Sequence, residues 1–125
     1  MDLLIFIGQS NMQGSTGEKD LNPPVENAIE YKYLSNTFVP LKNPVGEDIG
    51  DRILLESHMK NGSLIPDFTK TYIKYRKTDV CVIHAARGDS SISEWQKGTL
   101  RFETLINKIK GGISLLNQNA IDQKN

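Results

Sequence analysis

Two short polar segments of this 125-residue chain each follow directly on an apolar run. Gly8-Gln9-Ser10-Asn11-Met12 follows Leu3-Leu4-Ile5-Phe6-Ile7. Arg87-Gly88-Asp89-Ser90-Ser91-Ile92 follows Val80-Cys81-Val82-Ile83 and its extension His84-Ala85-Ala86. A serine on the turn leaving a strand is exposed, with backbone N–H groups of that turn facing the same space. Such a hydroxyl suits nucleophilic attack on a carbonyl, provided that fixed donors meet the charge of the tetrahedral intermediate. Gly88, lacking a Cβ, lets the backbone approach that oxyanion closely. The candidate chemistry is acyl transfer through Ser10. Taken alone, Gly-Gln-Ser-Asn reads as an ordinary turn. Residues 8–14 are no phosphate cradle, because the Lys-Ser/Thr ending of a P-loop is missing.

The two apolar runs have to position these segments. Both are short, unalternating and rich in bulky aliphatics, the pattern of strands buried on both faces of a parallel sheet. Side-by-side parallel strands deliver their following turns to the same edge. Tyr31-Lys32-Tyr33-Leu34 and Thr37-Phe38-Val39, flanking Ser35-Asn36, predict a small surface hairpin. Residues 9–17 read as a loop, or a loop opening a short helix, and Pro40–Asp51 as a loop long enough to carry function or form a lid.

Ser63 to Lys77 predicts a helix capped by Ser63, with Pro66 in its first turn and Ile65, Phe68, Tyr72 and Tyr75 near one face. A second helix begins near Thr99, with Phe102, Leu105, Ile106, Ile109, Ile113 and Leu116 in a 3.6-residue period. Gly111-Gly112 should weaken it by up to about 1 kcal/mol each, and polar Asn117 to Asn125 should fray. Strand, loops, helix, strand, loop, helix is an α/β order, implying a three-layer α/β/α domain with ligands at the carboxyl ends of its strands. Two core strands are few for such a sheet.

Composition bounds the partners. Fifteen basic and fifteen acidic residues cancel to zero net charge, which excludes a general attraction to nucleic acid or anionic membrane. The single cysteine, Cys81, excludes an internal disulfide and a Cys-rich zinc site, and in a buried strand it reads as a small hydrophobe. No segment reaches the ~20 apolar residues of a membrane span. The apolar start is shorter than the ~7–15-residue core of a signal peptide, so the expected location is cytoplasmic unless a leader has been removed.

Leu3 to Gly14 (LLIFIGQSNMQG) resembles the first block of SGNH-type hydrolases, in the sialate O-acetylesterase and acetylxylan esterase branch. Cys81 to Trp95 (CVIHAARGDSSISEW) resembles the second block of that branch, a strand followed by Gly, small residues, Ile, two further positions and Trp. Tyr33–Ile49 and Gly98–Ile109 are similar to its connecting regions. The resemblance implies a flavodoxin-like fold and a serine ester hydrolase acting on acetylated carbohydrate, such as acetylxylan or sialic acid, without metal or organic cofactor. It makes Ser10 the nucleophile and an oxyanion donor through its own N–H, Gly88 a second donor, and Gln9 and Asn11 pocket residues.

This sequence departs from that pattern in three places. Asp89 stands where many members have a second glycine. The Gln-Gly-Glu-type block and the Asp-x-x-His block, which would supply a third donor and the general base, are absent. Residues 1–125 therefore read as the N-terminal part of one domain, with weak or no turnover alone. The competing readings are an inactive module that still holds acylated sugars, and a nonfunctional fragment.

Neither histidine is a natural replacement for the base. His84 reads mainly as a structural strand residue and His58 as a surface one. Trp95 either packs under the second loop or lines a sugar site. Arg87 reads as a surface-pair residue, and Tyr72 and Tyr75 as core. With a neighbour strand missing, the strand ending at His84 is expected to expose an unpaired sheet edge and promote homo-oligomers.

Overall fold

The computed structural model describes residues 1–8, 22–47, 63–86 and 96–124. The elements run β1 (Asp2–Gly8), β2 (Ala28–Lys32), β3 (Thr37–Pro40), α1 (Ile65–Arg76), β4 (Val80–Ala86) and α2 (Leu100–Lys124). The strands form a four-stranded sheet in the order β1-β4-β2-β3. β1 and β2 both run parallel to β4, and β3 is antiparallel to β2.

Alternation along β4 decides which helix covers which face. Val80 and Val82 belong to a core with Phe6, Ala28, Leu41, Val45 and Ile65, against which Tyr72 and Ile73 of α1 pack. Cys81 and Ile83 point the other way, into a core with Tyr31 that Ile109, Leu115 and Leu116 of α2 close. Every residue from Val80 to Ala85 is fully buried, and each large aliphatic so enclosed contributes about 1.5–3 kcal/mol. The layers are α/β/α, as the order of apolar runs predicts.

The hairpin exists but is no surface appendage. Its first strand is the third parallel strand of the main sheet, pairing Ala28, Ile29 and Glu30 with Val80, Cys81 and Val82. Tyr31 is buried, with its ring edge-on to Phe38 at 6.0 Å between centroids. Asn36 closes the turn with φ 51° and a 3.2 Å N–H bond to the Tyr33 carbonyl. The expected free edge is also displaced: β4 has a neighbour on each side, and among the described residues the strands paired on one side alone are β1 and β3.

α1 starts later than its sequence suggests. Leu64 is the N-cap residue, with no side-chain cap bond. The Ser63 hydroxyl instead donates to Asn43 Oδ1 at 2.9 Å and stands 3.4 Å from the Ile65 N–H. The inward stripe is Ile65, Thr69, Tyr72 and Ile73, so Tyr75 is not core and is 79% exposed. Phe68 is half exposed, yet meets Phe6 edge-on at 5.6 Å. At the far end, the Tyr72 hydroxyl donates to Asp2 Oδ2 at 2.6 Å and Arg76 stands 3.7 Å from the same carboxylate.

The Thr99 hydroxyl accepts from the Phe102 N–H at 3.2 Å and starts α2 where the sequence places it. The helix does not fray at Asn117 but continues to Lys124. Its buried stripe runs through Thr104, Leu105, Lys108 and Gly112, leaving Ile113 42% exposed rather than in the core. A lysine and a glycine at the centre of the stripe hid it from an apolar count.

Gly111 and Gly112 bring the helix close to the sheet. A Cβ at Gly111 would lie 2.5 Å from the Tyr31 hydroxyl oxygen, and one at Gly112 would lie 2.8 Å from Ile83 Cδ1. An alanine in a helix ordinarily gains up to about 1 kcal/mol over glycine. Here the Tyr31 ring must move and surrender its 2.8 Å bond to Asn36 Oδ1, and overpacking of this kind costs about 1–3 kcal/mol. Gly111→Ala is therefore expected to lower stability by about 1 kcal/mol; a raised urea midpoint would contradict the close-approach account.

Candidate functional site at the carboxyl edge of the sheet

β1 and β4 are paired along their whole length, from Asp2 with Val80 to Gly8 with Ala86. Adjacent strands stand about 4.8 Å apart, and these two end level with one another. The chain thus leaves the sheet towards Gln9 and towards Arg87 from neighbouring points on one edge. Ser10, Gln9 and Asn11 on the first segment, Arg87, Gly88, Asp89 and Trp95 on the second, and His58 lie outside the described residues.

His84 sits inside β4 in register with Phe6, with no exposed surface, a placement suited to a structural histidine. Cys81 is equally enclosed, and burial, helped by the nearby Glu30 charge, pushes its thiol up to about 11. A thiol so rarely ionised is a poor nucleophile.

A buried charge network beside this edge is not visible in the sequence. Glu30 and Lys32 on β2, Glu47 beyond β3 and Lys108 on α2 make it up. Lys32 Nζ lies 3.1 Å from Glu30 Oε2 and donates to the Gly46 carbonyl at 2.6 Å. Gly46 returns its N–H to Glu30 Oε2 at 2.8 Å; its φ of 104° is a conformation that glycine adopts without strain. Glu47 accepts from the Tyr33 and Leu34 N–H groups at 2.5 and 3.0 Å and pairs with Lys108 Nζ at 3.0 Å. Glu30 and Lys108 are almost wholly enclosed.

Burial pushes the Glu30 carboxyl above its ordinary range, against the pull of Lys32 and Lys108. Burial also raises Glu47, but the Lys108 ammonium and the two backbone donors outweigh it and hold that carboxyl below its ordinary value. The segment that carries Gly46 and Glu47 also reaches the other face of the domain, through Asn43. Its Oδ1 accepts from the Ser63 N–H at 3.1 Å, and its Nδ2 donates to the Ser63 carbonyl at 3.1 Å. Residues 41–47 are thereby fixed to the end of β2, to α2 and to the start of α1.

A cleft of about 590 Å³ runs between residues 22–27 and α1, with Lys42, Lys70 and Lys74 set against Glu26 and Asp67. No residue of β1 or β4 lines it. Among the described residues no group of three or more His, Cys, Asp or Glu could hold a metal ion, and no helix is long and apolar enough to cross a membrane.

A family model described as SASA, carbohydrate esterase, sialic acid-specific acetylesterase, matches residues 1–121. Among solved structures, a protein from Arabidopsis thaliana determined by X-ray crystallography at 1.6 Å superposes with a TM-score of 0.70 at 18% identity. The match covers 88% of this chain and 50% of that one, so this chain spans about half the length of its structural neighbour. No curated protein matches it.

The charge network carries its own test. Lys108→Ala leaves Glu47 without its cation and Glu30 with Lys32 alone, and breaking a buried pair in this way costs about 3–5 kcal/mol. Lys108→Met combined with Glu47→Gln should recover much of that loss. Glu47 has a lowered folded pKa, so its contribution is fully present above the ordinary value of 4.5 and is lost as pH falls through the folded value. Urea midpoints measured at descending pH should fall more steeply for the wild type than for Glu47→Gln; parallel curves would refute the assignment.

Proposed function

The chain belongs to the carbohydrate esterase, sialic acid-specific acetylesterase family, and from that membership we propose that it acts on acetyl esters of carbohydrate, with Ser10 as the attacking hydroxyl. The observation that supports this most is the level, parallel ending of β1 and β4. Through it, the segment bearing Ser10 and the segment bearing Gly88 start from adjacent points on one edge.

In this reading the Ser10 oxygen bonds to the acetyl carbonyl carbon and its proton passes to a base. The carbonyl oxygen takes the negative charge and is met by the N–H groups of Ser10 and Gly88. Collapse of the intermediate expels the sugar oxygen, which takes up the proton. Water then releases acetate from the acylated serine. Gln9 and Asn11 shape the pocket around the acetyl group. The substrate is a small or oligosaccharide ester, acetylated sialic acid or acetylxylan being the two candidates.

Without a base, a serine hydroxyl is a weak nucleophile. The sequence carries no Asp-x-x-His block, and His84 is enclosed within β4. Slow turnover is therefore the expectation for these 125 residues by themselves. The test compares wild type with Ser10→Ala on p-nitrophenyl acetate and on acetylated sialic acid, alongside labelling by a fluorophosphonate probe. Slow hydrolysis that drops to the uncatalysed background in Ser10→Ala, with the label on Ser10, supports the reading. Equal rates in both proteins, or a label elsewhere, would overturn it. Binding of the acetylated sugar with neither hydrolysis nor label would favour the inactive carbohydrate-binding module.

A further inference from the structure

β1 has the composition of an interior strand and the position of an edge one. From Leu3 to Gly8 it carries no charge and no proline, the devices by which edge strands ordinarily repel one another. On the α1 face, Phe6 is buried. On the α2 face, Ile5 and Ile7 remain 40% and 45% exposed. Among the described residues, β1 is hydrogen-bonded to β4 alone. An apolar strip thus adjoins a row of backbone groups with pairing capacity to spare.

We propose that the β1 edge pairs with the β1 edge of a second copy of this chain, antiparallel about a two-fold axis at Ile5. The sequence of the strand is complementary to itself in that register. Asp2 falls opposite Gly8, Leu3 opposite Ile7, Leu4 opposite Phe6 and Ile5 opposite its own counterpart. Each exposed Ile7 is then covered by Leu3 of the second copy, and the two Ile5 side chains cover one another. Parallel pairing in register would instead set Asp2 against Asp2, a like-charge opposition that destabilises a strand pair. The antiparallel arrangement keeps the carboxylates at opposite ends of the seam. With a net charge of zero, no long-range repulsion opposes the approach of two copies. A two-fold contact closes on itself, so the product is a discrete dimer with one continuous sheet.

The experiment is light scattering on the eluting 125-residue chain over a wide concentration range. A plateau at twice the 14.0 kDa chain mass is expected. Ile5→Lys should shift the species to monomer while far-ultraviolet circular dichroism stays unchanged. Ile5→Cys gives an independent readout that does not require the lysine variant to fold. Opposed residues of an antiparallel pair have Cα atoms about 4.5–5.5 Å apart, within disulfide range. Mild oxidation should therefore cross-link Ile5→Cys into a covalent dimer, while Leu34→Cys, exposed at the hairpin turn, stays uncross-linked. A monomer at every concentration, open-ended aggregates, a dimer that survives Ile5→Lys, or equal cross-linking of the two cysteine variants would each overturn the proposal.

Discussion

The in-register pairing of β1 with β4 is the constraint on which the rest of the molecule depends. β4 is enclosed from Val80 to Ala85, and its alternate side chains feed two separate cores. A slip of one residue would exchange the Val80/Val82 set for the Cys81/Ile83 set and present each helix with the wrong surface. The register cannot drift without dismantling both cores. For that reason, the two strands end at the same level, and everything proposed about the carboxyl edge follows from it.

The helices meet this sheet by different means. α1 contributes apolar bulk (Ile65, Tyr72, Ile73) and is tied at its end through Asp2 to the first strand. α2 contributes closeness: two glycines let its backbone approach Tyr31 and Ile83, and Lys108 carries a charge into the interior for Glu47. A buried ion pair is weak evidence of net stability, since desolvation offsets its attraction. Its effect here is positional, because Glu47 also holds the Tyr33 and Leu34 amides and so defines where β2 ends.

What the sequence revealed depended on whether a residue's partners were near it in the chain. β1 and β4 were legible because Leu3–Ile7 and Val80–Ile83 are continuous apolar runs whose reading needs no partner. β2 was read only as half of a surface hairpin, because Glu30 and Lys32 look like solvent-facing residues until Gly46 and Lys108 are seen beside them. α2 could be placed from Thr99 onward, yet its inward stripe was misdrawn, since Lys108 and Gly112 gave no apolar signal. Tyr75 was misjudged because helical spacing fixes a face but not where the core stops. The candidate site divides in the same way. The strands leading to it were readable from periodicity, whereas the roles of Ser10 and Gly88 came from a family likeness that now covers residues 1–121.

The grip of Asn43 on Ser63 has one more implication. Three hydrogen bonds join these two residues, 20 positions apart in the chain. They tie the segment that holds the end of β2 to the segment that opens α1. The entropy of bringing two such points together depends only weakly on the length of chain between them, each doubling adding about 0.6 kcal/mol. The clasp is thus a link between the two helical layers whose cost is nearly independent of what the intervening chain is made of.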